Sequence, residues 1–129
     1  MAEAFFNKYS KNHKAKSAAL VKSQEKMHAL VIRAMKERGI DISKNISKKI
    51  TEEMLVAADM IVLMNKNLKM HIEELKKHIK PNAKIEIWDI PDIVAKETDE
   101  YLYPEFCRIR DITEEKIKKL LNKIESNIF

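Results

Sequence analysis

Met60-Ile61-Val62-Leu63-Met64 is a continuous apolar run with no charged or polar residue inside it. A strand that is buried on both faces has this composition, because neither of its alternating sets of side chains meets water. The run is far too short to cross a bilayer. It therefore predicts a buried strand over residues 59–64, in a sheet that helices cover on both faces.

Two further stretches predict strands in the same sheet. Lys84-Ile85-Glu86-Ile87-Trp88 alternates strictly, so we expect its two isoleucines to share one face and its charged side chains to face water. Alternation of this kind is typical of an edge strand. The short segment over residues 15–20 predicts a third strand, which gives three parallel strands.

Apolar residues that recur at a spacing of three and four predict helices between these strands. The predicted helices cover residues 1–12, a segment around 27–35, residues 68–79 and a long C-terminal segment that starts near Pro104. Gly39 is expected to end the second helix, since glycine readily takes the left-handed conformation that follows a helix. Thr51 is expected to cap a further short helix whose first turn holds Glu52 and Glu53.

Strands that alternate with helices pair in parallel and place helices on both faces of the sheet. The expected fold class is therefore α/β, a three-layer sandwich with a parallel sheet, in which residues 1–129 form a single domain. The first predicted helix begins at Met1 without a preceding strand and without a capping side chain. We therefore expect a domain that lacks its first strand and first loop.

The composition of the chain narrows its possible functions. One cysteine excludes an intrachain disulfide framework and any multi-cysteine metal site, and the single glycine excludes a glycine-rich phosphate loop. The four histidines show no paired metal-ligand spacing, so we expect no metal and no cofactor. The net charge of +5 is compatible with anionic partners but falls short of a nucleic-acid tail. The sequence shows no signal peptide, so we expect a cytoplasmic protein.

Several stretches, taken in order, resemble one known family. They are Met1-Ala-Glu-Ala-Phe-Phe6, Ser17-Ala-Ala19, Met35-Lys-Glu-Arg-Gly-Ile-Asp-Ile-Ser43, Ser47-Lys-Lys-Ile-Thr-Glu-Glu53, Ala58-Asp-Met-Ile-Val-Leu-Met64, Trp88-Asp-Ile-Pro-Asp92 and Phe106-Cys-Arg-Ile-Arg-Asp111. Their order and spacing are similar to those of the low-molecular-weight protein tyrosine phosphatases and the related thioredoxin-coupled arsenate reductases. The resemblance covers nearly the whole chain and implies the fold of that family.

The resemblance also implies where the chemistry lies. In the family a Cys-x5-Arg-Ser loop stands directly before a helix that starts like Met1-Ala-Glu-Ala, and it holds the nucleophilic cysteine and binds the phosphate. This chain is thus expected to start just after the loop and to be inactive as given. A full-length form with the loop would hydrolyse phosphotyrosine-like or other small anionic monoesters through a cysteinyl-phosphate intermediate.

Two alternatives remain open. Departures from common family residues at Asn45, Ile46, Asn65 and Ile93 favour a catalytically dead binding or assembly protein. The other alternative is an arsenate-reductase-like protein without its redox cysteines. The family's reductases relay oxidation through two further cysteines, and residues 65–80 contain none.

The resemblance assigns one candidate catalytic residue. Asp92 matches the aspartate of the family's Asp-Pro element, which donates a proton to the leaving oxygen, although Ile93 replaces the proline. Asp89 is the weaker candidate for the same role. A solvated loop aspartate, or a cap for the following helix, is the alternative interpretation of Asp92.

The single cysteine is not expected to be a nucleophile. Cys107 lies within a predicted helix, without a surrounding loop of N–H donors, so we expect a partly buried structural residue. The lysines cluster toward the N-terminal part of the chain, where they form either a solvated face or an anion-attracting surface. They stand at positions 8, 11, 14, 16, 22 and 26.

A second copy of the chain is the expected macromolecular partner. A sheet that lacks an inner strand leaves backbone groups unpaired, and such groups recruit another chain. We expect a homodimer or higher oligomer that forms through the N-terminal helix or residues 15–20. A nucleic-acid partner is not expected, because Trp88 and the tyrosines are not interleaved with the lysines. No membrane partner is expected either.

Overall fold

The computed structural model describes residues 1–20, 27–91, 93 and 100–126. Within these residues it has five α-helices and two strands. They are α1 (Ala2–Tyr9), α2 (Ala29–Lys36), α3 (Glu52–Ala57), β1 (Met60–Leu63), α4 (Lys69–Leu75), β2 (Lys84–Ile87) and α5 (Tyr103–Glu125). Short 3-10 turns precede α4 (Lys66–Leu68), follow it (Lys76–His78) and lead into α5 (Glu100–Leu102).

β1 and β2 pair in parallel, with Met60 opposite Lys84. The pairing extends past the end of β1, where Trp88 N–H donates to Leu63 O at 2.7 Å. A parallel pair needs a crossover, and α4 with its flanking turns supplies it. The strands predicted around these residues, the parallel direction and the α/β class are confirmed.

The strand predicted over residues 15–20 is not formed. Only Ala19 makes a β-bridge there, and its partner is Lys49 rather than β1. The side chain of Asn7 engages both backbone groups of Ala15, accepting from its N–H at 2.8 Å and donating to its C=O at 3.0 Å. These groups are no longer open to a ladder, and alanine, lysine and serine favour strands weakly. The described sheet therefore has two strands instead of three.

The sheet is less buried than the apolar run predicts. Leu63 is buried, but Met60, Ile61 and Val62 are only half-buried. The orientation expected for β2 is wrong, since its isoleucines are exposed while Glu86 is half-buried. The reason is that β2 lies at the edge of a two-stranded sheet. The main apolar cluster packs on the face that carries Met60 and Val62, and the isoleucines of β2 lie on the other face.

The helix boundaries follow the sequence signals closely. Gly39 has φ +73° and stands just after α2, as expected for a helix-ending glycine. Thr51 Oγ1 accepts from Met54 N–H at 3.2 Å and so caps α3. Pro104 falls in the first turn of α5, where its missing N–H costs nothing. These three predictions are confirmed.

One apolar cluster holds α1, α2 and α5 together on the face of the sheet that carries Met60 and Val62. α5 packs against both α1 and α2. The buried members of the cluster come from α1, α2, α5 and the segments after α2 and β2: Phe5, Phe6, Met35, Ile42, Trp88, Ile90, Ile109, Ile117, Leu120 and Leu121. Phe5 and Met35 are completely shielded from solvent. The cluster thus fixes the start of α1 and the segment after β2 relative to each other.

Candidate functional site

The carboxyl ends of β1 and β2 meet at one edge of the sheet, where parallel folds usually place their ligands. The segment after β2 is anchored there, because Ile90 N–H donates to Met64 O at 3.1 Å and both Trp88 and Ile90 are buried. Asn65 follows β1, and its side chain accepts from Asn67 N–H at 2.8 Å. Backbone and side-chain hydrogen bonds therefore hold the described residues at the carboxyl ends of β1 and β2 in place.

The first turn of α1 belongs to the same apolar cluster as this edge. Met1 and Ala2 pack on the cluster that contains Trp88 and Ile90. Among the described residues no side chain caps the first turn, and N–H groups at a helix start carry a partial positive charge. Glu3 lies in this first turn, but its carboxylate accepts a hydrogen bond from Ser17 Oγ at 2.6 Å.

Asp92, the predicted catalytic acid, lies outside the described residues. Its neighbours are described: Pro91 is exposed, and Ile93 is half-buried and packs on the main cluster. Asp89 is exposed and follows the buried Trp88 at the carboxyl edge of the sheet. The catalytic roles of both aspartates stay predictions.

Cys107 lies in α5 and is half-buried. Its Sγ is 4.0 Å from Glu37 Oε2. Reactive thiols lie in loops of N–H donors at helix N-termini, whereas the backbone of Cys107 lies inside a helix. The position is the one that the sequence predicts for a structural cysteine.

The carboxylate of Glu37 is the centre of a polar cluster between α2 and α5. Arg110 Nη1 donates to Glu37 Oε2 at 2.6 Å, and Tyr103 OH donates to Glu37 Oε1 at 2.7 Å. The hydrogen bond from Arg110, followed by that from Tyr103, holds the pKa of Glu37 below its usual value. Burial and the hydrogen bond to Glu37 raise the pKa of Tyr103.

A second polar cluster joins α1, the end of α2 and α5. Tyr9 OH donates to Glu114 Oε2 at 2.7 Å, and Arg38 Nη2 donates to Asp111 Oδ1 at 2.7 Å. Arg110 Nε also donates to Asp111 Oδ1, at 2.9 Å, so the two clusters share this arginine. The hydrogen bond from Arg110 lowers the pKa of Asp111. The arrangement fixes α1, the end of α2 and α5 to one another.

Sequence reasoning missed both polar clusters, although four of their residues lie inside the stretches that resemble the family: Glu37, Arg38, Arg110 and Asp111. The stretch over residues 35–39 contributes Glu37 and Arg38. The stretch over residues 106–111 contributes their partners, Arg110 for Glu37 and Asp111 for Arg38. The sequence does carry one signal, since Arg110 is a charged residue next to Ile109 on the inward side of α5. In the structure Arg110 is only 4% exposed. A charged residue at such a helical position needs a partner from another element.

Lys8 is a structural residue of the lysine-rich surface. Lys8 Nζ donates to the C=O of Arg38 at 2.7 Å, next to the end of α2. Beyond α1 an open recess of about 430 Å³ is lined by Asn7 and the segment from Ser10 to Lys14. Positions 22 and 26 lie outside the described residues. Both interpretations of this surface stay open.

The described part of the chain shows neither a metal-ligand cluster nor a membrane-spanning helix. No group of three or more His, Cys, Asp or Glu side chains in it has the arrangement of a metal site. None of its helices has both the length and the apolar character needed to span a membrane.

Comparison with known proteins places the chain in a family. The family model described as "Low molecular weight phosphotyrosine protein phosphatase" matches residues 1–128. An "Arsenate reductase" of Brevibacillus brevis is 34% identical over 92% of this chain and 81% of the relative. An "Arsenate reductase 1" of Staphylococcus epidermidis is 31% identical over 72% of this chain and 64% of the relative, slightly less than two thirds of its length. A "Low molecular weight protein-tyrosine-phosphatase Ptp" of Acinetobacter johnsonii is 45% identical over 31% of this chain and 28% of the relative.

Proposed function

Since the chain belongs to the low molecular weight phosphotyrosine protein phosphatase family, we propose that its 129 residues form a phosphatase-fold domain that does not hydrolyse phosphomonoesters by itself. One observation carries the proposal: the only cysteine in the sequence, Cys107, is half-buried in α5 against a carboxylate. The family's chemistry needs a thiolate nucleophile at the base of an anion-binding loop.

Cys107 lacks the surroundings that such a nucleophile needs. Residues 103–106 precede it within α5, so its backbone belongs to a helix rather than to a loop of N–H donors. Its Sγ lies 4.0 Å from Glu37 Oε2, a carboxylate oxygen that already accepts a hydrogen bond from Arg110 Nη1 at 2.6 Å. A nucleophile and its anion cradle act as a unit, so a misplaced thiol does not substitute for them.

The class of substrate follows from the family. In a protein that also carries the Cys-x5-Arg-Ser loop beside the start of α1, we propose a phosphotyrosine-like or other small anionic monoester as the substrate. The uncapped first turn of α1 supports anion binding at that place. A cytoplasmic location is part of this proposal.

Asp92 is the proposed general acid, and Asp89 is the alternative. Trp88 and Ile90, on either side of Asp89, are buried, which supports a fixed position for Asp89; for Asp92 the support is the match to the family's Asp-Pro element. In a longer form that carries the loop, Asp92→Asn is expected to lower kcat by about 10²–10⁴-fold. Asp89→Asn should leave it within about twofold; the reverse ranking would assign the role to Asp89.

Arsenate reduction by these residues alone is not proposed, although the relatives from Brevibacillus brevis and Staphylococcus epidermidis are named arsenate reductases. Reduction through this fold relays oxidation between several cysteines, and the sequence has one. The further thiols that such a relay needs would have to come from residues outside these 129 or from another protein.

A second candidate function belongs to another class, an assembly or binding protein. The observation that favours it is the small sheet, in which the apolar side chains of the edge strand β2 are exposed. Exposed strand edges recruit further chains. The homo-oligomer predicted from the sequence is kept here as part of the proposal.

Turnover of p-nitrophenyl phosphate by the purified 129-residue chain tests the main proposal. We expect a hydrolysis rate no higher than the rate in buffer alone. The Cys107→Ser variant should give the same rate. A rate that follows protein through purification and is abolished in Cys107→Ser would overturn the proposal. A small rate that Cys107→Ser leaves unchanged would not come from the family's chemistry and would support it.

A further inference from the structure

The outer edge of β2 carries exposed apolar side chains. Ile85 is 38% exposed and Ile87 is 42% exposed, although both belong to a strand. Their partners in the register, Ile61 and Leu63 of β1, are half-buried and buried. The apolar face that Ile61, Leu63, Ile85 and Ile87 share is therefore exposed to water at β2, and such exposure of apolar surface is unfavourable.

Backbone polar groups lie on the same edge. Lys84 N–H donates to Asp59 O at 3.1 Å, so the even-numbered residues of β2 turn their backbone groups toward β1. The N–H and C=O groups of Ile85 and Ile87 then point to the opposite edge, because these groups alternate along a strand. Among the residues that the structure describes, no strand pairs with that edge.

The geometry points to a second copy of this chain as the occupant of the edge, paired through β2 in the antiparallel direction about a two-fold axis at Ile85. In that register Ile85 exchanges two backbone hydrogen bonds with the partner's Ile85, and Lys84 stands opposite the partner's Glu86. The same pair recurs on the other side of the axis, as two-fold symmetry requires. An axis at Glu86 would instead set two carboxylates against each other. The charge pattern therefore favours the axis at Ile85 over the axis at Glu86.

A recess next to β2 fits the same arrangement. It has a volume of about 200 Å³ and is lined by Lys76, Ile79, Lys80, Pro81, Ala83 and Ile85. In the proposed register Ala83 stands opposite the partner's Ile87, on the same face of the joined sheet. The exposed Ile87 of each copy then meets the apolar wall of the other copy's recess, and its exposed surface becomes buried.

This surface is not the one that the sequence predicts for a dimer. Phe5 and Phe6 of α1 are buried, and α1 packs on α5. The backbone groups of Ala19 are used, since its N–H donates to Lys48 O at 2.7 Å and its C=O accepts from Ile50 N–H at 2.8 Å. The inference stands apart from the phosphatase proposal, because no residue of the catalytic scheme lies in β2.

Sedimentation velocity of the full 129-residue chain, from micromolar to submillimolar concentration, tests the inference. We expect a reversible monomer–dimer equilibrium in the wild type. Ile85→Lys should raise the dissociation constant by more than about tenfold, since a lysine on an edge strand opposes pairing. Met70→Lys adds the same charge at an 81% exposed methionine on α4, outside the proposed interface, and should leave the constant unchanged. Far-ultraviolet circular dichroism shows that each variant is folded.

A charge-reversal cycle tests the register itself. Lys84→Glu sets two carboxylates opposite each other, and Glu86→Lys sets two ammonium groups opposite each other, so each should weaken the dimer about tenfold. The double variant restores opposite charges across the axis and should recover most of the wild-type affinity. A monomeric wild type at every concentration, a dimer that survives Ile85→Lys, or a double variant no tighter than the single ones would overturn the inference.

Discussion

Arg110 Nη1 lies 2.6 Å from Glu37 Oε2 and joins the inner face of α5 to the residue that ends α2. The same nitrogen donates to Ala34 O at 2.9 Å. That carbonyl belongs to the last turn of α2, where carbonyls lack intrahelical partners. Arg110 therefore supplies a buried C-terminal cap for α2 from another helix, and Glu37 balances its charge.

Arg110→Met should destabilise the fold by about 1–3 kcal/mol, because it leaves the buried Ala34 carbonyl without its donor. The side chain of Glu37 is 50% exposed and can be hydrated after the change, which keeps the loss moderate. Urea unfolding measures this as a lower midpoint with an unchanged slope.

Arg108→Met is the matched control for this arginine. Arg108 forms an exposed ion pair with Glu105, three residues before it on the same helix. Its loss should change the stability by no more than about 0.5 kcal/mol. Equal effects of the two substitutions would mean that the buried contacts of Arg110 contribute nothing beyond a surface ion pair.

The stability of the protein should depend on pH through Glu37. Hydrogen bonds from Arg110 and Tyr103 lower the folded-state pKa of Glu37, so the unfolded chain binds its proton more readily. The stabilisation is then complete above the ordinary glutamate pKa of 4.5 and is lost as the pH falls through that value toward the lower folded-state pKa. Asp111 acts in the same direction, since Arg110 also lowers its pKa.

Glu37→Gln isolates this contribution. Its stability at neutral pH should be lower than that of the wild type, and it should fall less steeply over the same acidic range. Urea unfolding midpoints measured from neutral pH to below the ordinary glutamate pKa make the comparison. Parallel pH profiles for the two proteins would show that Glu37 has the same proton affinity in both states.

The periodicity of apolar residues was sufficient to predict β1, β2 and the helices, because the spacing of apolar side chains along a short segment matches the period of the element that the segment forms. The strand expected over residues 15–20 failed for a reason that no periodic pattern carries: the side chain of Asn7 competes for the backbone of Ala15. The orientation of β2 failed because alternation shows which residues share a face but not which face is covered.

The polar clusters were beyond sequence reasoning for another reason. Glu37 and Arg110 are 73 positions apart, and Tyr9 and Glu114 are 105 apart, so only the packing of α1, α2 and α5 brings them together. The proposed acid, Asp92, came from resemblance alone. Its neighbours Ile90 and Ile93 pack on the core, a feature that their apolar character does predict.

Gly39 should resist substitution because of its backbone rather than its surroundings. Its φ of +73° is unfavourable for residues with a Cβ, while an added Cβ would have Lys8 Nζ as its nearest neighbour, at 3.9 Å. Gly39→Ala should therefore cost about 1–2 kcal/mol in urea unfolding. Gly39→Asn should cost less, since asparagine tolerates the left-handed region. An asparagine variant less stable than the alanine variant would point to steric crowding instead.

Cys107 should react slowly with thiol reagents in the native protein. Its half-buried place in α5, against Glu37, limits the approach of an anionic disulfide reagent such as dithionitrobenzoate. We expect modification at least about tenfold slower than in urea at the same pH, where the chain is unfolded. The matched control is Asn45→Cys in a Cys107→Ser background, which places a thiol at an exposed position and should react at nearly the same rate in both conditions. A native Cys107 as fast as the unfolded one would reveal an accessible, activated thiol and would weaken the proposal that these residues lack a nucleophile.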